Sequence, residues 1–276
     1  MPGQPRKRLF PLNFRQLPAS LLLLALLSVP GRAFAWGAEG HEVAAALALR
    51  ELTPVARGQV AHLLGGETMM IHDATWADEI RSQRPETGTW HYVDIPLNAP
   101  GYDPRRDCGR SDCVVAQIGN ELRVLADRRA PAGARAEALR FLIHFVGDMH
   151  QPLHAADDGD RGGNDVHVSI GHERASLHKV WDVDVVEALG FDTVQVANSL
   201  ERGVTPAQRK AWASGMPADW ANEAHAIARD EIYPPLSGRR SLRLPRDYDD
   251  REAAITRIQL AKAGLRLAWL LNIAFR

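Results

Sequence analysis

The stretch Phe141–Asp182, FLIHFVGDMHQPLHAADDGDRGGNDVHVSIGHERASLHKVWD, decides how the chain is read. It holds six of the eleven histidines, and six aspartates, in 42 positions. Phe141–His150 has helical periodicity, with Leu142, Phe145, Val146 and Met149 as an apolar stripe. His144 and Asp148 are four apart, so on a helix they project from one face, one turn apart. A helix that carries a His and an Asp beside its apolar stripe offers them inward as ligands. His154 lies past the helix-ending Gln151-Pro152, and His178 and Asp182 repeat the His-x-x-x-Asp spacing on a following helix. A single histidine on an apolar face is usually a satisfied structural residue; clustering with aspartate points to a metal. Imidazole and carboxylate together suit zinc, whereas calcium takes mostly oxygen.

Working outward, His41, Asp78 in the triplet WAD and His91 in WHYVD could complete the sites. His150 is expected to support the cluster as a hydrogen-bond donor. His62, His72, His167, His172 and His225 read as structural or solvated residues. The run Asp157, Asp158 and Asp160 reads as a solvated loop rather than a calcium loop. Gly162-Gly163-Asn164 sets a turn, with Asn164 in reach of a ligand carboxylate.

The first 35 residues read as a segment outside the fold. Arg6, Lys7, Arg8 and Arg15 form a basic region, Leu21–Leu27 an apolar core, and Ala33-Phe34-Ala35 an A-x-A cleavage signal. The apolar run is short for a membrane anchor, and no later stretch reaches the length a membrane helix needs. The expectation is a signal peptide over 1–35, cleaved before Trp36, and an exported mature chain, 36–276, large enough for one domain with its own core. Its removal takes five basic and no acidic residues, moving the net charge from −1 to −6. That argues against a generic basic nucleic-acid-binding surface. Cys108 and Cys113 are the only cysteines, and in an exported chain they predict a disulfide closing the short loop DCGRSDCV.

Cleavage would give Trp36 a free α-amine with a pKa of about 8, which metal binding would deprotonate. Its amine and carbonyl oxygen could form a five-membered chelate, with His41 close in sequence to join them. The alternative is that Trp36 only packs its indole.

Periodicity and punctuation predict helices almost throughout. Ala44, Leu47 and Leu52 share one face of a first helix entered through Gly37 and Gly40, and Thr53-Pro54 caps a second ending at Gly65-Gly66. A third covers Asp73–Ser82, and Thr89–Ile95 reads as extended, stopping at Pro96. Helices follow over Cys113–Asp127, Ala134–His150, Leu177–Leu189, Thr205–Ser214, Pro217–Ile232 and Asp249–Asn272. Val166–Ile170 and Arg174–Leu177 suggest a hairpin about Gly171-His172. The fold class is all-α, a single mainly helical domain with a small β-hairpin.

With these residues assembled, the chain resembles the secreted zinc-dependent single-strand nucleases and 3′-nucleotidases, the nuclease S-one/P-one family. The resemblance runs from Trp36 to the C-terminal helix. It rests on W-G-x-x-G-H at Trp36–His41, W-A-D-x-I-R at Trp76–Arg81 and H-Y-V-D at His91–Asp94. The central match is H-F-V-G-D-M-H-Q-P-L-H at His144–His154, followed by G-G-N at Gly162–Asn164 and L-H-x-V-W-D at Leu177–Asp182. An excess of arginine over lysine fits a GC-rich bacterial member.

The resemblance implies a phospholipase C/nuclease-type helical fold holding three zinc ions. One zinc would take Asp78, His91, His144 and Asp148; a second His154, His178 and Asp182; the third the amine and carbonyl of Trp36, His41 and Asp148. Arg81 matches the arginine facing the scissile phosphate, Tyr92 an aromatic that stacks on the base, and Asp94 an acid that bonds the base edge. Tyr92 stands where the family usually has phenylalanine. Cys108 and Cys113 fit a short family disulfide. The implied activity is hydrolysis of single-stranded DNA and RNA to 5′-phosphorylated products, with 3′-nucleotides as further substrates. Asp78, Arg81 and Asp148 would be catalytic. The implied protein is a monomer without an obligate protein partner or membrane anchor, located in the periplasm or secreted.

Two alternatives use the same residues. A zinc-dependent phospholipase C shares the fold, but its terminal ligand pattern is His-x-x-x-Glu where this chain has His178-x-x-x-Asp182. A non-enzymatic exported zinc-binding protein would account for the histidines and not for Arg81 or Tyr92.

Overall fold

A computed structural model describes residues Trp36–Arg276. The expected signal peptide lies outside the described residues. The described residues are mainly helical, as expected, and among them no helix is long and apolar enough to cross a membrane.

The N-terminal helix Ala38–Glu51 packs along the C-terminal helix Tyr248–Ala274, burying Leu47, Leu260 and Leu265. Thr53 accepts a bond from the Ala56 N–H, Pro54 starts the next helix, and Gly65 ends Pro54–Leu64 in the left-handed region. Helix Val114–Ala126 lays its apolar face on Ala132–Asp148, the central helix. Every residue of that helix from Phe141 to Asp148 is buried. The expected one-sided stripe is therefore a fully enclosed segment, and the enclosure is what matters for His144 and Asp148. Polar side chains sealed in a core need partners, and the fold must bring those partners to them.

Other elements depart from the sequence reading. The third helix is broken into Met69–His72, a 3₁₀ turn Asp73–Thr75 and Trp76–Ile80. Pro85–His91 is 3₁₀ helix, so only the end of the expected extended run, Tyr92–Ile95, is extended. There Val93 N–H donates to the His154 carbonyl and Asp157 N–H to that of Ile95. Tertiary pairing, not composition, decided that boundary. Leu177–Glu187 contains a wide π-helical turn at Val180–Asp184 between two short α-helical pieces. Thr193–Gly203, capped by Asp192, is a helix the sequence reading lacked. The expected hairpin is present as β1 (His167–Ile170) and β2 (Glu173–Ser176), antiparallel. A third strand, β3 (Ser241–Leu244), adds in parallel to β1 from far along the chain. Short strands paired over such a distance leave no local signal. Cys108 and Cys113 form the expected disulfide.

Candidate metal centre

His41, Asp78, His91, His144, Asp148, His154, His178 and Asp182 are all buried, and they converge. Three sets place ligand atoms within 4.8 Å of one another: His41, Asp78 and His144; His91, His144 and Asp148; His154, His178 and Asp182. In the middle set, Asp148 Oδ2 is 3.0 Å from His91 Nδ1 and 3.3 Å from His144 Nε2. Its other oxygen faces His41 Nε2 at 3.5 Å and His154 Nδ1 at 3.7 Å. Asp148 is thus the carboxylate whose two oxygens address different histidines.

Backbone carbonyls fix several tautomers. The Nδ1–H groups of His144, His154 and His178 donate to the carbonyls of Ala74, His91 and Gly162 at 2.7, 2.8 and 2.7 Å. A carbonyl can only accept, so each Nδ1 carries the proton and each Nε2 presents a lone pair. For His178 that lone pair faces Asp182 Oδ2 at 3.3 Å. His41 reaches the cluster because residue 147 is glycine: a Cβ there would lie 2.6 Å from His41 Nδ1. The His41 ring stacks on His144, with centroids 3.8 Å apart.

These side chains fit zinc on two counts. First, burial pushes the imidazoles down, His41 and His178 to about 4 and His91 and His154 well below their usual value, so they are neutral as ligation requires. Burial pushes the carboxyls of Asp148 and Asp182 well up, and a divalent cation is what would hold them ionised. Second, His41 Nδ1 and Nε2, His91 Nε2, Asp148 Oδ1 and His154 Nε2 are sealed from solvent without a hydrogen-bond partner. Buried polar atoms are rarely left so.

Above these groups lies a cleft of about 390 Å³, whose walls include His91, His154 and His178. Arg81, Tyr92 and Asp94 line it with Arg161 and Asn164. Arg81 Nη1 donates to Asp78 Oδ1 at 3.2 Å. Desolvation, with Asp157 and Asp107 nearby, pushes the Asp94 carboxyl up to about 6.

A scan against protein families matches residues 36–276 to the S1/P1 Nuclease model. The chain is 30% identical to nuclease S1 of Aspergillus oryzae, over 94% of this chain and 98% of that protein. It is 32% identical to nuclease P1 of Penicillium citrinum (86% and 97%) and 30% to endonuclease 2 of Arabidopsis thaliana (87% and 90%). This chain belongs to the S1/P1 nuclease family. It is a nuclease of the hydrolase class, from a family that uses three zinc ions, and it carries three buried His/Asp groups suited to metal.

Trp36, where the family match begins, is fully buried, and the next residue, Gly37, donates its N–H to the Asp182 carbonyl at 2.6 Å. Two expectations around the S1/P1 site need correction. His150 does not support a ligand: Nδ1 donates to the Val146 carbonyl and Nε2 accepts from Arg266 at 2.8 Å. Asn164 turns its amide to the Arg161 carbonyl and not to a ligand carboxylate. Gln151 does hold one, as Arg81 holds Asp78: its Nε2 donates to Asp182 Oδ1 at 2.6 Å while its Oε1 accepts from Leu153 N–H. In the sequence Gln151 reads only as the residue before Pro152. Nothing local there marks a partner 31 positions away.

Proposed function

We propose that the chain is an exported zinc-dependent phosphodiesterase that hydrolyses single-stranded DNA and RNA to 5′-phosphorylated products and acts on 3′-nucleotides. The observation that carries this reading is the convergence of eight buried His and Asp side chains, with orphaned ligand atoms, at the floor of the Arg81–Tyr92–Asp94 cleft. Asp78, His91, His144 and Asp148 would hold one zinc; His154, His178 and Asp182 a second; Trp36, through its free amine and carbonyl, with His41 and Asp148 the third. Bound there, zinc supplies Lewis-acid stabilisation of phosphate charge and an activated water at neutral pH.

The rest is work for the chain. Asp78 orients the attacking water, and its bond to Arg81 aims the guanidinium at the scissile phosphate, where a fork of donors meets phosphate oxygens. Attack on phosphorus breaks its bond to the 3′ oxygen, which leaves with a proton, so the phosphate stays on the 5′ side of the next nucleotide. Tyr92, half-buried, stacks a base, and Asp94 accepts from its edge when ionised. A duplex offers no free base face to Tyr92, which favours single strands. An acidic chain can hold nucleic acid because three zinc ions would offset the −6 charge of residues 36–276.

Signal-peptide cleavage before Trp36 is part of the proposal, since only then is the Trp36 nitrogen an amine; periplasmic or secreted location and action as a monomer follow from the same reading. Zinc-loaded protein beginning at Trp36 should cleave single-stranded DNA, RNA and 3′-AMP and leave phosphatidylcholine intact. Turnover of phosphatidylcholine with inert oligonucleotides would overturn it.

A further inference from the structure

The acidic run Asp157–Asp160 is solvated at Asp158 and not at its end. Asp160 is fully buried. Its Oδ1 accepts from the Tyr233 hydroxyl at 2.9 Å and the Gly163 N–H at 3.0 Å, and its Oδ2 from Arg240 Nη1 at 2.6 Å. Arg240 Nη2 also donates to the Asp158 carbonyl at 2.6 Å. Asp157 Oδ1 gathers the N–H groups of Asp160 and Arg161 at 2.9 and 2.8 Å. Tyr233 and Arg240 lie on the segment that leads into β3, more than 70 residues away.

What this knot grips is the loop Arg161-Gly162-Gly163, three consecutive residues in the left-handed region. Such backbone holds its shape only when its surroundings over-determine it. A Cβ at Gly162 would lie 2.5 Å from the Leu153 carbonyl oxygen, so the loop is pressed on the segment that carries His154. The Gly162 carbonyl takes the His178 Nδ1–H at 2.7 Å, and the Gly163 carbonyl takes the His178 N–H at 3.3 Å.

We propose that Asp160, with Tyr233 and Arg240, is the positioning device for His178: it fixes the Gly162 carbonyl that sets which His178 nitrogen faces the metal. The inference rests on the zinc assignment proposed above. Asp160 touches neither substrate nor metal; it acts through two residues of backbone. A direct hydrogen-bond partner of a metal ligand is worth about 10- to 100-fold in affinity, and here that partner is the Gly162 carbonyl that Asp160 holds in place.

Zinc stoichiometry and chelator-competition affinities, measured on protein beginning at Trp36, separate the possibilities. Wild type and His178→Ala test the assignment itself: if His178→Ala loses no zinc, the ligand reading fails, whatever the other variants do. Given that loss, Asp160→Asn should weaken one zinc of the three by about 10- to 100-fold. Tyr233→Phe, which removes one hydroxyl and little else, should weaken the same zinc by a smaller factor. In both variants kcat should recover when zinc is raised, while KM for a 3′-nucleotide stays within the change seen at saturating zinc. A lowered melting temperature of the metal-free protein with all three zinc affinities unchanged would overturn the proposal, leaving Asp160 a purely structural residue. Should Asp160→Asn fail to fold, Tyr233→Phe alone decides.

Discussion

The two halves of the candidate centre are built by different means. His144 and Asp148 stand on a regular helix whose last eight residues are all buried, and helical geometry alone puts them one turn apart. His154, His178 and Asp182 stand on irregular backbone: a 3₁₀ turn, a helix start and a π-helical turn. Their positions depend on side-chain bonds, from Gln151 to Asp182 and from Asp157 and Asp160 to the loop that holds His178. A ligand on a packed regular helix is positioned by the core, whereas a ligand on short irregular turns is positioned by its hydrogen bonds. The first group should therefore fail only when a ligand is changed, and the second also when a supporting residue is changed.

The largest effect is expected at Asp148, the residue on which the helix-built group turns. Asp148→Asn keeps the shape and removes the charge that faces four histidines. Activity on single-stranded DNA should fall by more than the roughly 100-fold reach of outer-shell changes, with at least one zinc lost by metal analysis. Retention of three zincs and ordinary turnover would remove Asp148 from its proposed role. Next, one residue retained before Trp36 turns the amine into an amide. That variant should lose one zinc and most activity; three zincs with full turnover would leave Trp36 merely a packed indole.

Gln151→Ala probes the loop-built group. Freeing Asp182 should weaken one zinc about 10- to 100-fold by chelator competition. The comparable change on the other side, His150→Gln, touches a residue tied to Val146 and Arg266 and should leave zinc affinity alone, whatever it does to the melting temperature. Equal effects on zinc would erase the contrast between the halves.

This contrast also explains what was legible in the sequence. The helical fold and the hairpin could be read from periodicity, and His144, Asp148, His178 and Asp182 from spacing, because His-x-x-x-Asp on a helix has one geometry. His154 could be read from its place in the cluster, and His41, Asp78 and His91 from the family motifs around them. The disulfide could be read because two cysteines leave one pairing. Gln151, Asp160, Tyr233 and β3 could not. Each acts through a partner between 31 and 80 positions distant, and no local pattern records such a contact. His150 shows the converse: it lies two positions from Asp148 in sequence and bonds Val146 and Arg266 instead, while Asn164 lines the cleft but gives its amide to the Arg161 carbonyl.

Smaller effects are expected on the cleft wall, which grips substrate and not metal. Tyr92→Ala should raise KM for oligonucleotides by about 5- to 150-fold, the equivalent of roughly 1–3 kcal/mol for one stacked base, with zinc content unchanged. Unchanged affinity would refute the stacking role. The smallest is a pH effect. Because the Asp94 carboxyl is pushed up to about 6, it is protonated below that pH and ionised above it. A carboxylate accepts two base-edge bonds where the acid accepts fewer, so KM should fall by a few-fold as pH rises through about 6. Asp94→Asn should flatten that part of the profile; an unaltered profile would assign it to another group.

The most direct test is to count zinc in protein that begins at Trp36 and has been freed of loosely bound metal. Three per chain is the expected number, falling to two in protein that begins one residue earlier. A count of one or none, or the same count in both, would contradict a centre completed by the mature N-terminus.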